Sequence, residues 1–169
     1  MANTFIDNIA EFPMKALRAI GTDKMVVSLL TNNPHVDMDS DEADEVFEKY
    51  LFDYGYVDST TDESEAYVCA EAEMVGNGSP TIENMRLYIT VICHKQYMKL
   101  DPGKFKGMIG NRRENLARYV DKLLNGSTIF GIGKLTLESS RVAPAPAGFC
   151  ARELTYYIPD FRTRSVGIQ

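Results

Sequence analysis

The sequence predicts an α+β fold: a four-stranded, mainly antiparallel sheet with helices packed on one face, in the order αα-ββ-α-ββ. Three patterns carry this expectation. Two central stretches alternate apolar and polar residues with period two, as half-buried strands do. The segments before and after them carry apolar residues at spacings of three and four, as helices do. The order of these patterns lacks the strict βα alternation of a parallel sheet and matches an α+β layout.

Residues 1–20 contain Phe5, Ile6, Ile9, Phe12 and Leu17, which read as a short helix or an apolar arm broken by Pro13 and Gly21. Residues 22–31 read as a helix capped by Thr22 or Asp23, with Met25, Val26, Leu29 and Leu30 as its apolar stripe. Asn32-Asn33-Pro34 ends it. A second helix starts near Ser40, with a stripe of Ala43, Val46, Phe47, Tyr50 and Leu51. Its acidic first turn suits the positive end of the helix dipole. Residues 66–74 and 86–94 then alternate, joined by the turn-rich Gly76-Asn77-Gly78-Ser79-Pro80. The third helix has Asn111 as its cap, Glu114 three residues on, and a stripe of Leu116, Tyr119, Val120, Leu123 and Leu124. Asn125-Gly126 stops it. Two further strands follow near 133–141 and 150–158, around the extended loop Ala143-Pro144-Ala145-Pro146-Ala147-Gly148. The sheet face away from the helices is expected to carry Tyr67, Glu71, Arg86, Tyr88, Thr136, Glu138 and Tyr157. It is too polar for core and rich enough in tyrosine for an interface.

At 169 residues the chain reads as one domain: a helical N-terminal region over 1–64, a sheet-plus-helix core over 65–161 and a tail over 162–169. Hydrophobic residues make up 44% and charged residues 25%, ordinary for a globular protein. No apolar run approaches the roughly 20 residues that span a bilayer, and the N-terminus lacks a basic stretch followed by an apolar one. Neither a membrane nor an export signal is therefore expected. Cys69, Cys93 and Cys150 form no CxxC, so the expectation is buried thiols and synthesis in a reducing cytoplasm.

The formal charge is −6, which disfavours a uniformly basic nucleic-acid binder. The distribution is more informative. Residues 37–73 hold 14 acidic residues and one basic residue, while residues 95–169 hold 13 basic and 6 acidic. Such a split suits a head-to-tail contact in which the acidic region of one subunit meets the basic region of the next.

No motif argues for catalysis, a metal or a cofactor. Asp37, Asp39, Asp41 and Glu48 match four ligand positions of a calcium loop, but Glu42 replaces the glycine such a loop needs at its sharp turn. Gly131-Ile132-Gly133-Lys134 lacks the spacing of a phosphate loop and runs toward a strand. Cys93 and His94 are adjacent on a strand and point to opposite faces. Lys95, Lys99, Lys104, Lys106, Arg112 and Arg113, interleaved with Tyr97 and Phe105, form a basic loop that could touch phosphate or an acidic protein. An alternative function is therefore a nucleic-acid-binding module using residues 95–113.

Four stretches carry a resemblance. They are Arg86-Leu-Tyr-Ile-Thr-Val-Ile-Cys-His-Lys95; Gly110-Asn-Arg-Arg with the helix ending Leu123-Leu-Asn-Gly126; Phe130-Gly-Ile-Gly-Lys-Leu-Thr-Leu-Glu-Ser-Ser140; and Arg152-Glu-Leu-Thr-Tyr-Tyr with Asp160-Phe161. Across residues 65–161 the chain resembles tailed-bacteriophage neck proteins of the tail-terminator or tail-completion type. The resemblance implies a non-enzymatic virion component with no cofactor. Six copies would form a ring that caps the tail tube and meets the head-side connector, and its loops could contact DNA in the lumen. On this reading Asp41, Glu42 and Glu45 on the acidic helix, and Arg112, Arg113 and Arg118 on the basic side, are the expected subunit contacts. Lys99, Lys104 and Lys106 would face the lumen or a neighbouring ring.

Overall fold

The computed structural model describes residues 5–55, 66–77, 82–130 and 133–161. Three helices come first: α1 (Phe5–Gly21), α2 (Lys24–Thr31) and α3 (Asp41–Lys49). Then come β1 (Leu51–Phe52), β2 (Ala66–Asn77), β3 (Ile82–His94), a 3₁₀ turn (Lys95–Tyr97), α4 (Arg112–Leu124), β4 (Thr136–Ala143) and β5 (Phe149–Phe161). The sheet order is β1-β2-β3-β5-β4. All neighbours are antiparallel except β1, which runs parallel to β2.

Two expectations are corrected. The sheet is mixed and five-stranded, because Leu51–Phe52 pairs with Val68–Cys69. Two residues are too few to show a period, so Leu51 reads in sequence as the last position of a helical stripe. The other correction concerns the N-terminus, where α1 runs unbroken through Pro13. A proline inside a helix costs about 3 kcal/mol. Phe12, Ala16, Leu17 and Ile20 are all buried on this helix, and each large apolar side chain contributes about 1.5–3 kcal/mol. Packing of α1 on β2 therefore outweighs the local penalty.

The cap assignments hold. Asp23 accepts hydrogen bonds from the backbone N–H groups of Met25 and Val26. Asn32 closes α2 in the left-handed conformation, at φ 58°. Asn111 accepts from the Glu114 N–H at 3.0 Å. The strand register places Val68, Ala70, Leu87, Ile89, Val91, Leu154, Tyr156 and Ile158 in one apolar core with the buried faces of α1, α2 and α4. Cys69 and Cys93 are buried, and burial pushes both thiols up to about 12.

One buried charge organises the helical layer. Arg112 opens α4 and is 2% exposed. Its Nε donates to the Tyr97 carbonyl at 2.8 Å, its Nη2 to Asn32 Oδ1 at 2.7 Å, and its Nη1 to the Leu29 carbonyl. Its own N–H donates to the Met98 carbonyl at 2.8 Å. Its guanidinium lies 5.6 Å from the Phe105 ring centre. The Leu29 carbonyl belongs to the last turn of α2, where helix carbonyls lack partners of their own. Burial lowers the Arg112 pKa, yet it stays far above neutrality for a guanidinium. Removing the side chain leaves three acceptors without their donor, so Arg112→Ala is expected to lose about 3 kcal/mol in urea unfolding. Arg112→Lys restores only part of this, because an ammonium cannot fork to three acceptors. A loss below about 0.5 kcal/mol for Arg112→Ala would refute the assignment.

Candidate interaction surface

The expected contact residues divide into three groups. The side chains of Asp41 and Glu42 lie outside the described residues. Glu45 is exposed and pairs with Lys49 at 2.6 Å within α3. The basic set is corrected in part. Arg112 is buried and its donors are used inside the subunit, so it is not available to a partner. Arg113 has only 13% of its side chain exposed; it donates to Glu114 Oε1 at 3.0 Å and to the Ala151 carbonyl at 3.3 Å. Both arginines read as surface in sequence because they precede the apolar stripe of the helix. In the fold they point back under its N-terminus. Arg118 is exposed, with Nη2 on Asn115 Oδ1 at 2.6 Å.

Lys99, Lys104 and Lys106 are exposed on the segment between the 3₁₀ turn and α4. This segment is firmly built. Asp101 Oδ1 accepts from the Gly103 N–H at 2.8 Å, and its carbonyl accepts from Lys104 and Phe105. Leu100 and Phe105 are buried beneath the turn. Gly107 and Gly110 adopt positive φ of 80° and 90°, a region that costs side-chain-bearing residues strain. Between them stands Ile109, 86% exposed. Its carbonyl accepts from the buried Asn115 Nδ2 at 3.0 Å, which fixes the backbone beneath it. A depression of about 480 Å³ adjoins it, lined by Met98, Leu100, Phe105 and Met108. Sequence reasoning missed Ile109. The signal was present as two apolar residues, Met108 and Ile109, between two glycines in a lysine-rich stretch.

The open face of the sheet is a different kind of surface. Its polar half satisfies its own charges across the strands. Arg86 Nε meets Glu138 Oε2 at 2.7 Å, Arg141 meets Glu153, and the Tyr88 hydroxyl donates to Glu73. Burial and the Glu73 carboxylate raise the Tyr88 pKa. The other half is a correction. Tyr67 is 2% exposed, in a small apolar cluster with Cys69, Ile92 and Ala151, against which Phe52, Ala145 and Phe149 pack. The open face is thus partly core, and the described tyrosines on its polar half are hydrogen-bonded within the subunit, Tyr157 to Asn84.

Among the described residues no group of three His, Cys, Asp or Glu side chains is arranged for a metal, and no helix is long and apolar enough to cross a membrane. Asp37 Oδ1 accepts from the Asp39 N–H, and the Ser40 hydroxyl donates to the Asp37 carbonyl. This is the hydrogen bonding of a turn ahead of α3. Gly131 and Ile132 lie outside the described residues, and Lys134 precedes β4, as the sequence indicated.

Glu114 binds Arg152 through Oε2 at 2.7 Å and Oε1 at 3.0 Å, as well as Arg113. Partial burial raises its pKa, but the bonds from Arg152 and Arg113 win and hold it below the usual carboxylate value. The folded form therefore keeps its charge at a pH where the unfolded chain takes up a proton. The stabilisation is complete above the unfolded value of about 4.3 and is lost as pH falls through the folded one. Glu114→Gln is expected to lower the melting temperature at pH 7. It should also flatten the fall in melting temperature between about pH 5 and pH 3. An unchanged acid slope in the variant would overturn this account.

The comparisons bear on the whole of this arrangement. No curated protein matches the chain. A family model, YomW, matches residues 23–158, from the cap of α2 into β5, which is well over half the sequence. The chain therefore belongs to the YomW family, a phage-derived family of the SPbeta prophage type.

Proposed function

We propose that this phage protein is a structural component of the particle, a homo-oligomeric ring at the head–tail junction. It caps the tail tube and joins it to the head-side connector, in the manner of a tail terminator. The observation that carries the reading is the segregation of charge. The acidic excess lies over residues 37–73, and exposed lysines without an acidic partner among the described residues project from the loop before α4. A head-to-tail contact covers both at once, and head-to-tail contacts close into rings when the rotation permits. The ring takes six copies, and its place is the neck of the virion. Nucleic-acid binding through residues 95–113 is a weaker reading, because Arg112 and Arg113 are withheld inside the subunit and Ile109 offers no phosphate contact.

Native mass spectrometry of the purified protein over a concentration series is expected to give a discrete hexamer that weakens with salt. Particles assembled without the protein are expected to carry tails of uncontrolled length and unjoined heads. A monomer at every concentration, together with normal particles in its absence, would overturn the proposal.

A further inference from the structure

The loop before α4 displays an apolar side chain in an unusual way. Ile109 is 86% exposed, while the backbone around it is fixed. Asn115 holds its carbonyl, and Arg112 closes the base of the loop on Tyr97 and Met98. A large apolar side chain held rigidly in water gains nothing for the isolated subunit. It loses little conformational entropy on binding, which is the property of an interface anchor. Lys99, Lys104 and Lys106 are exposed on the same loop, and none has an acidic partner among the described residues. The partner that fits is therefore a protein surface with an apolar spot set among carboxylates.

This chain carries such a surface on α3. Phe47 is 37% exposed on that helix, its ring packed against Gly21. Glu48, the next residue, is exposed and has no cationic partner among the described residues, whereas Glu45 lies on the other side of the helix and pairs with Lys49. The helix lies in the stretch where 14 acidic residues meet one basic residue. It packs on β1, α1 and α2, and the loop is tied through Arg112 to Tyr97 and to Asn32 at the C-terminal end of α2. The two patches are made of different residues, so docking one onto the other in a second copy is a head-to-tail contact.

We infer that the loop around Ile109 docks onto α3 of a second copy, with Ile109 against Phe47 and the loop lysines, Lys104 and Lys106, facing Glu48 beside it. This deepens the ring reading and rests on it.

A charge-exchange experiment tests the contact. One variant carries Lys104→Glu and Lys106→Glu; the other carries Glu48→Lys. Circular dichroism melting verifies that each is folded. Each variant alone is expected to need about tenfold more protein, or more, for half assembly in native mass spectrometry. An equimolar mixture is expected to recover assembly with alternating subunits, because each loop then meets an oppositely charged α3. Ile109→Asp is expected to weaken assembly with no loss of melting temperature. Wild-type assembly by the lysine variant would overturn the contact while leaving the ring in place. A wild-type chain that never self-associates would overturn both. Salt-sensitive binding of duplex DNA by wild type, lost in the lysine variant without change in assembly, would assign the loop to nucleic acid instead.

Discussion

The buried guanidinium of Arg112 is the constraint on which the helical layer depends. A charge taken out of water must be met by acceptors on every side, or the fold pays several kcal/mol for it. Here the acceptors come from three places: the C-terminal turn of α2, the left-handed Asn32 beyond it, and the carbonyl of Tyr97 at the end of the 3₁₀ turn. None of these can shift without stranding the others. The α2 terminus gains in return, since its unpaired Leu29 carbonyl finds a cationic donor. The position of α4, the closure of the loop before it and the display of Ile109 all follow from that one set of bonds.

The rest of the molecule divides by how its charges are matched. Beneath the N-terminus of α4, Glu114 is shared by Arg113 and Arg152. On the polar half of the open sheet face, Arg86 and Arg141 find Glu138 and Glu153 across the strands. Cross-strand pairs of this kind stabilise modestly and leave a surface that asks nothing of a partner. Among the described residues the loop before α4 differs in carrying three exposed lysines without an acidic partner, and α3 carries Glu48 without a cation. For a chain of the phage-derived YomW family, this contrast directs attention to the helical end of the subunit rather than to its sheet.

Local pattern determined much of the fold. The period-two alternation indicated β2 and β3, and their register follows from it because a one-residue slip would expose the whole core face. Three helices were legible from stripes and caps, and Asp23, Asn111 and Gly126 act where their chemistry places them. The division of charge along the chain was also legible, since it is a property of composition. What tertiary structure alone decided were the exceptions to local rules. Pro13 stays within α1 because burial against β2 outweighs a lost hydrogen bond. Leu51 and Phe52 become a strand only because β2 offers an edge to pair with. Tyr67 is core because β1 and the end of β5 close over it. Arg112 and Arg113 are internal and Ile109 external, the reverse of what residue type suggests. A sequence records polarity, but only the packed chain decides which polar groups find partners inside it, and so which side chains are left to meet something else.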